Sequence, residues 1–286
     1  MFREINNIYL LNLEKRADRL NDCIMQSLKY DFTLDIVKGV DGDELNLKEL
    51  LKNKTINDEF FSPDGHHLSM GVYGCALSHY NAYLKMIQDD VEMALIFEDD
   101  FVINTIFNAQ RYYENIKEEI FASDWDILFL GKNKTHVVGE HITEHLIKTD
   151  ESWVHKPVDE REMATAPFQL WGAHAYIVRR KAAEYLMENT LPIRMPADVW
   201  LQYLSYKSDL KIYCTDHSIV MQNSEHEVEK RELEGYEFSY QEEKLMIDSD
   251  TIWNRNKRGD LYWLQMPDFT ESIRKDKEFF VFKLKK

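Results

Sequence analysis

The hydrophobic pattern of the chain alternates between short apolar runs and segments with helical spacing. The apolar runs predict buried strands at Ile8–Asn12, Phe32–Val37, Met93–Phe97, Trp125–Leu130, Ala173–Val178 and Lys211–Cys214. Apolar residues three and four apart predict helices at Ala17–Leu28, Gly74–Gln88, Asn108–Ile120, Lys181–Asn189 and Ala197–Ser205. Because strands and helices alternate along the chain, the pattern predicts an α/β fold.

The segments between these elements have turn or loop chemistry. Val40–Gly42 provides turn residues before a charged segment with leucine spacing at Glu44–Leu51. Asn53–Met70 is predicted to be a loop, and Lys132–Pro157 a long loop or a small hairpin. After about Ser224 the composition shifts to dense mixed charge. We therefore predict one folded domain over residues 1–224 and a charged C-terminal extension over residues 225–286.

Composition narrows the classes of protein that fit this pattern. With 286 residues, 44% of them apolar and 30% charged, the chain is typical of folded globular proteins. Its formal net charge of −16 disfavours nucleic acid and anionic membranes as partners. The three cysteines are widely spaced, which argues against a disulfide framework and favours a reducing compartment. No apolar run approaches the length of a membrane span, so we expect a cytoplasmic protein without a transmembrane segment.

An acidic trio, Glu98, Asp99 and Asp100, directly follows the predicted strand Met93–Phe97. In open α/β sheets, ligands bind at the carboxyl ends of strands. Mutual repulsion between three carboxylates is costly unless a cation offsets it, and hard oxygen ligands suit Mg²⁺ or Mn²⁺. The trio therefore predicts a divalent cation site that would hold a diphosphate. The alternative is a solvated acidic cluster that caps a helix over Asn104–Ile120.

Two further segments offer groups that could bind a ligand. Arg16 and Arg19 lie one turn apart after Asn12, so they can share a helix face and bind a diphosphate, unless this is an ordinary solvated helix start. The small residues of Gly71–His79 open a helix and could let backbone N–H groups approach a ligand closely. Ser78 and His79 would lie in its first turns. Cys75 is interpreted as a small core residue.

The order of these segments resembles one known family, glycosyltransferase family 25. That family includes bacterial lipooligosaccharide galactosyltransferases and procollagen galactosyltransferases. The resemblance covers roughly residues 5 to 222 and rests on Asn12–Arg19, Val40–Gly42, Gly71–His79, Leu95–Asp100, Gly172–Val178 and Pro196–Asp198. It implies a GT-A-type, Rossmann-like nucleotide-sugar-binding fold with a mixed central sheet. It also implies transfer of a hexose, galactose or glucose, from a UDP-sugar with inversion, to a glycan or a hydroxylysine-containing protein.

Carried over position by position, the resemblance assigns roles to the residues singled out above. Glu98, which replaces the first Asp of the DxD motif common in GT-A enzymes, and Asp100 would bind Mn²⁺ or Mg²⁺. GT-A enzymes often add a C-terminal histidine, for which His217 and His226 are equal candidates. The implied donor-binding residues are Asn12, Arg16, Arg19, Ser78, His79, Glu98 and Asp99.

Inversion needs a base that deprotonates the acceptor hydroxyl opposite the departing UDP. Asp198 is the candidate because it begins a helix after Pro196, in the later half of the domain. An N-cap of the helix Val199–Ser205 is the alternative role for this residue. In that case the base would be sought among His174, Asp216 and other acids.

Other function classes remain open for this pattern. A non-catalytic carbohydrate-binding or scaffolding protein would keep the fold without turnover. A metal-dependent nucleotidyltransferase would use acids similarly but would need a phosphate-cradling glycine segment, of which Gly71–Gly74 is a poor version. Release of UDP rather than pyrophosphate separates glycosyl transfer from nucleotidyl transfer.

Overall fold

The computed structural model describes residues 1–56, 68–132, 139–149, 172–224 and 226. The strands are β1 Asn7–Asn12, β2 Asp35–Lys38, β3 Met93–Glu98, β4 Phe101–Ile103, β5 Ile127–Phe129, β6 Gly139–His141, β7 Leu146–Thr149, β8 Ala175–Arg179, β9 Ile212–Thr215 and β10 Val220–Gln222. The helices are α1 Ala17–Tyr30, α2 Leu47–Lys52, α3 Met70–Gln88, α4 Ala109–Ala122, α5 Arg180–Asn189 and α6 Ala197–Lys207, with a short 3₁₀ turn at Gly42–Glu44. Of the predicted C-terminal extension, only His226 lies within the described residues.

Eight strands form a mixed central sheet in the order β2-β1-β3-β8-β5-β9-β7-β6. β1 is parallel to β2 and β3, and β5 is parallel to β9. β8 lies between β3 and β5 and is antiparallel to both. β4 and β10 pair separately as a small antiparallel ribbon. The predicted α/β fold with a mixed central sheet is thus confirmed, and it is consistent with a Rossmann-like GT-A fold.

Strand alternation divides the core between the two faces of the sheet. Along β3, Ala94 and Ile96 pack with residues of α3, α5 and α6, whereas Leu95 and Phe97 pack with residues of α1 and α4. Successive side chains of a strand point to opposite faces, so a run with no polar position indicates a strand buried on both sides. This explains why β1, β3 and β8 are continuous apolar runs in the sequence.

Most predicted elements are present, with differences at their ends. The polar segment after Lys132 contains the antiparallel hairpin β6–β7, one of the two predicted alternatives. β4 and β10 were not predicted, because three-residue strands leave too short a pattern to recognise. α3 begins at Met70, four residues before the predicted start, with Ser69 as its N-cap. None of the helices in the described ranges is long and apolar enough to cross a membrane.

Candidate active site

The carboxyl ends of β1 and β3 lie side by side at one edge of the sheet. These strands are parallel, and Leu11 in β1 pairs with Glu98 in β3. Asn12 is therefore close to the tight turn in which Asp99 and Asp100 connect β3 to β4. β8 runs in the opposite direction, so its first residues return to the same edge. Ligands of open α/β sheets bind at this kind of edge.

Asp99 is held by side chains from two other elements. Asn12 Nδ2 donates to Asp99 Oδ2 at 2.9 Å, and Arg19 Nη1 of α1 donates to Asp99 Oδ1 at 2.8 Å. Alternation along β3 explains this contact, because Leu95, Phe97 and then Asp99 follow the face that packs against α1. Burial raises the pKa of Asp99, and the contacts with Arg19 and Asn12 offset part of that rise.

Asp100 is tied to the small β4–β10 ribbon. Asn223 N donates to Asp100 O at 2.8 Å, and Gln222 Nε2 lies 3.4 Å from Asp100 Oδ2. Arg19 Nη1 is 3.9 Å from the same carboxylate oxygen, and the Asp100 side chain is only 10% exposed. The alternative of a solvated cluster capping a helix is therefore wrong: the carboxylates are largely buried, and Asn108 caps α4.

Glu98 faces the opposite side of the sheet, toward α3. His79 Nε2 lies 3.1 Å from Glu98 Oε1, and His79 Nδ1 lies 2.8 Å from the hydroxyl of Tyr176. The Tyr176 hydroxyl is in turn 2.7 Å from that of Tyr83. Burial acts to raise the pKa of Glu98, but His79, with smaller contributions from His174 and Arg19, holds that pKa below its ordinary value. His79 is thus a buried link between the acidic trio and two tyrosines.

Cys75 lies one helical turn before His79 and shares its face of α3. Within the described residues, the Cys75 sulfur, a ring nitrogen of His79 and a carboxylate oxygen of Glu98 lie within 4.8 Å of one another. Burial, followed by the charges of Glu98 and Asp198, raises the pKa of the Cys75 thiol well above its ordinary value. The i, i+4 spacing of Cys75 and His79 could have indicated this grouping, which the interpretation of Cys75 as a small core residue missed. Tyr176 is 97 residues from His79 and has no local signal.

Ser78 and Gly74 serve the packing of the Val40–Gly42 turn. Ser78 Oγ accepts from Val40 N at 2.8 Å and donates to Gly74 O at 2.8 Å. A Cβ on Gly74 would lie 2.5 Å from Val40 O, so a side chain there would collide with backbone. The small residues of α3 thus allow a close approach of the Val40–Gly42 backbone, whereas the sequence predicted a close approach of a ligand. Because α3 begins at Met70, Ser78 and His79 lie in its third turn rather than its first turns.

The two arginines of the first helix have different partners. Arg16 occupies the N-cap position of α1 and pairs with Asp18 at 3.0 Å. The hydrogen bond from Arg16 lowers the pKa of Asp18 to about 2. Arg19 instead reaches the buried Asp99. Binding of a diphosphate by both arginines stays a prediction, and Arg19 offsets part of the charge of the acidic trio.

Asp198 accepts two backbone hydrogen bonds near the trio. Its Oδ1 accepts from Val199 N at 2.8 Å, and its Oδ2 accepts from Gly172 N at 3.1 Å. Burial raises the pKa of Asp198, the two amides oppose that rise, and the charge of Glu98 adds to it. α6 begins at Ala197, so Asp198 is its second residue and not the N-cap of a helix starting at Val199. The carboxylate therefore joins Gly172 to the start of α6 beside Glu98.

The two histidines predicted as metal ligands contact other groups. His226 Nε2 lies 2.9 Å from Thr105 Oγ1 and 3.3 Å from Thr105 N. His217 is largely exposed and packs against Phe107 and Tyr112. The contacts of His226 and His217 thus lie at the start of the α4 region, and neither histidine is brought to the trio by them.

The two alternative bases are placed differently from Asp198. His174 is fully buried, and Gly131 leaves room for its ring, since a Cβ there would lie 2.2 Å from His174 Nε2. Burial lowers the pKa of His174 and disfavours the protonated ring. Asp216 accepts from the Tyr112 hydroxyl and lies 3.4 Å from His145 Nδ1, in a separate cluster at the β7–β9 end of the sheet.

Comparison with known proteins identifies the family of this chain. The sequence profile of glycosyltransferase family 25, described as LPS biosynthesis protein, matches residues 5–201. The chain belongs to glycosyltransferase family 25. The match includes β1, α3, β3 and the first residues of α6, so every predicted donor-binding residue and Asp198 fall inside the family 25 region.

Named family 25 relatives are distant in sequence. Procollagen galactosyltransferase 1 of Danio rerio is 24% identical over 212 residues, which cover 73% of this chain and 33% of that protein. A glycosyltransferase 25 family member of Aedes aegypti is 26% identical over 69% of this chain and 30% of its own length. The chain thus spans about a third of these relatives. Among solved structures, A197 from STIV is 12% identical with a TM-score of 0.37, over 74% of this chain and 81% of that one. This similarity is too low to indicate a common function.

Proposed function

We propose that residues 1–224 form a GT-A glycosyltransferase domain that transfers a hexose from a UDP-sugar to an acceptor hydroxyl with inversion. The observation that carries this proposal is the group of largely buried carboxylates, Glu98, Asp99 and Asp100, at the ligand-binding edge of a family 25 sheet. Relatives named procollagen galactosyltransferase support galactose as the sugar, with glucose as the alternative. Their names also support a collagen-like protein as acceptor, in which we propose that hydroxylysine supplies the hydroxyl, and a glycan hydroxyl fits the same chemistry.

The donor set at this edge fits a divalent cation with a preference for oxygen. Arg19 is paired with Asp99, so its single charge offsets only part of the negative charge of the trio. Carboxylate oxygens are the ligands that Mg²⁺ and Mn²⁺ prefer. Glu98 and Asp100 would hold the cation, while Asn12 and Arg19 hold Asp99 in position. When bound, the cation supplies electrostatic stabilisation to the departing diphosphate.

In the proposed reaction, the chain positions the donor and accepts one proton. The Asp198 carboxylate takes the proton of the acceptor hydroxyl as that oxygen bonds to the anomeric carbon. The bond between the anomeric carbon and the UDP oxygen breaks on the opposite side, and UDP leaves with the electron pair. The amides of Gly172 and Val199 fix the orientation of Asp198, and the burial that raises its pKa makes it a stronger base than an exposed aspartate.

The first test measures whether UDP binding depends on the cation. We expect UDP to bind by calorimetry in Mn²⁺ or Mg²⁺, and binding to be lost with chelator or in Asp100→Ala, because the trio would repel a diphosphate without the cation. A screen of UDP-sugars should then show UDP release, and mass spectrometry of hydroxylysine peptides and glycans should identify the acceptor. Circular dichroism melting of Asp100→Ala confirms that the variant is folded.

Each other function class gives a different result in the same assays. Equal UDP affinity with and without chelator would contradict the proposed cation site. Release of pyrophosphate from a nucleotide substrate would indicate a nucleotidyltransferase. Sugar binding without turnover of any UDP-sugar, in a folded protein supplied with Mn²⁺, would indicate a carbohydrate-binding protein.

A further inference from the structure

A second set of metal-binding atoms lies on the α3 side of the same strand end. Cys75 and His79 are four residues apart on α3, so their side chains project from one face toward Glu98. The sulfur, the ring nitrogen and the carboxylate oxygen lie within 4.8 Å of one another in the described residues. Ligand atoms bound to one tetrahedral ion at about 2.0–2.3 Å are about 3.3–3.8 Å apart, so shifts of about 1 Å would seat an ion.

We propose that Cys75, His79 and Glu98 bind a thiophilic divalent cation of the Zn²⁺ class. Sulfur and imidazole ligands select Zn²⁺ and related ions, whereas carboxylate sets suit Mg²⁺ and Mn²⁺. The thiol-containing site on the α3 face therefore differs in its cation from the carboxylate site of the proposed transferase. Cys75 binds as a thiolate, and its proton leaves to solvent. Glu98 is a proposed ligand in both sites.

The residues behind His79 are arranged as support for a metal ligand. A histidine that binds a metal through one nitrogen generally uses the other in a hydrogen bond that fixes its ring. With Nε2 on the cation, His79 Nδ1–H donates to the hydroxyl of Tyr176 at 2.8 Å. Tyr176 can then donate to Tyr83 at 2.7 Å, and both tyrosines are buried. When no cation is bound, Tyr83 can donate to Tyr176, and Tyr176 can donate to His79 Nδ1. The hydrogen bonds of both tyrosines are therefore satisfied with and without the cation.

The local charge and the access to the site also favour a cation. Glu98, Asp198, Asp99 and Asp100 all act on Cys75 as negative charges. The negative potential of these carboxylates stabilises a cation at this position, whereas it destabilises a buried thiolate that has no cation. Glu98 and Cys75 are only partly buried, whereas His79 is enclosed, so the opening of the site lies on the Glu98 and Cys75 side.

Cobalt reports this site directly, because Co²⁺ bound to a thiolate has a charge-transfer absorption that Co²⁺ on oxygen ligands lacks. The full chain is freed of metal with chelator and titrated with Co²⁺ in the absence of any nucleotide sugar. We expect a thiolate charge-transfer band that saturates at one Co²⁺ per chain. The band should persist in Cys214→Ala, whose cysteine is buried in β9, and disappear in Cys75→Ser.

The ligand set and its support are tested by two further variants. Glu98→Gln should weaken Co²⁺ binding, and because Glu98 is partly exposed, the variant should still fold. It tests the ligand set if Cys75→Ser fails to fold. Tyr176→Phe should lower Co²⁺ affinity by about 10–100-fold through loss of the bond to His79. Zn²⁺ should displace Co²⁺, and excess Mg²⁺ should not.

Several results would overturn the site. They are the absence of a thiolate band in the parent chain, its persistence in Cys75→Ser, or its loss in Cys214→Ala. Unchanged affinity in both Glu98→Gln and Tyr176→Phe, or displacement by Mg²⁺, would do the same. None of these results bears on UDP release. Undiminished UDP release in Asp100→Ala with an intact cobalt band would instead count against the transferase proposal alone.

Discussion

At the scale of single residues, Asp198 combines a structural contact with the proposed chemistry. Its two oxygens each accept a backbone N–H, one from Gly172 and one from Val199. A carboxylate can accept both bonds, whereas an asparagine has one acceptor oxygen and an NH₂ group that would face the other amide. Substitution at this position therefore changes stability and proton transfer by separate mechanisms, which can be measured apart.

Asp198→Asn should lower both the free energy of unfolding and the rate of sugar transfer, each for a different reason. One amide loses its acceptor, which costs about 1–3 kcal/mol in the free energy of unfolding. Removing the general base should lower the transfer rate of the folded protein by about 10²–10⁴-fold. Urea unfolding measures the first effect, and UDP-sugar turnover under conditions where the variant is fully folded measures the second.

Asp126→Asn is the matched control for this variant. Asp126 is also a buried aspartate, and its Oδ2 accepts from Lys211 N at 2.8 Å and lies 3.1 Å from Lys181 Nζ. It precedes β5 and is therefore at the opposite edge of the sheet from the acidic trio. Asp126→Asn should lower stability but leave turnover of the folded protein at the parental rate. Parental turnover in Asp198→Asn would show that Asp198 is not the base.

At the scale of secondary-structure elements, the ion pair between Arg19 and Asp99 ties α1 to the end of β3. The two side chains are 16% and 9% exposed, so the pair is largely withdrawn from solvent. Removing one partner of a buried pair is costly because the other charge is left uncompensated. The surface pair of Lys38 and Glu14 joins other elements, but its side chains are 76% and 79% exposed and should contribute little.

Arg19→Met should destabilise the protein by about 3–5 kcal/mol at neutral pH, and Lys38→Met by about 0.2–1 kcal/mol. The loss in Arg19→Met should shrink as the pH falls. Asp99 has a folded-state pKa above its ordinary value of 3.8, and removal of Arg19 raises it further. The folded variant then binds more protons than the unfolded chain, so its stability decreases as the pH rises through that interval.

Urea unfolding of both variants between pH 5 and pH 8 checks this dependence. An equal loss for Arg19→Met at both pH values would mean that Asp99 is not the group left uncompensated. A loss no greater than that of Lys38→Met would mean that the pair is exposed in solution.

The elements themselves could mostly be predicted from the sequence, and the exceptions have physical reasons. β1, β3 and β8 are buried on both faces, so each is an apolar run that stands out from its surroundings. β4 and β10 are short, and they exist because they pair with each other across more than a hundred residues. The pattern predicts a late start for α3 because Met70–Tyr73 carries little periodic signal, and its N-cap, Ser69, lies inside the segment predicted to be a loop.

At the scale of the whole molecule, part of the membership of the site could be predicted, but not its pairings. The carboxyl-edge rule for α/β sheets correctly brings Asn12, Glu98, Asp99 and Asp100 together. No pattern indicates that Arg19 contacts Asp99, because that contact spans 80 residues. The links from His79 to Tyr176 and from Asp198 to Gly172 depend in the same way on how β8 and α6 return to the edge.

The extent of the independent domain is the last property that follows from the whole molecule. The family 25 profile ends at residue 201, and the described contacts of the acidic trio end with Asn223, whose backbone N donates to Asp100 O. His226 is buried and contacts the N and Oγ1 atoms of Thr105, so the described body continues slightly beyond the predicted boundary at Ser224. A chain ending at Lys230 keeps this histidine, and a chain ending at Ser224 loses it.

Both shortened chains should fold cooperatively and release UDP from a UDP-sugar at the rate of the full chain, because all of the proposed donor-binding and base residues are retained. The chain ending at Ser224 should be less stable than the one ending at Lys230 by about 1–2 kcal/mol, the net value of the one or two hydrogen bonds that His226 makes to Thr105. Thermal and urea unfolding compare the two chains directly, and Thr105→Ala in the longer chain should reproduce part of the loss. Failure of both shortened chains to fold would place part of the core after Lys230, and the domain would then extend through the charged C-terminal segment.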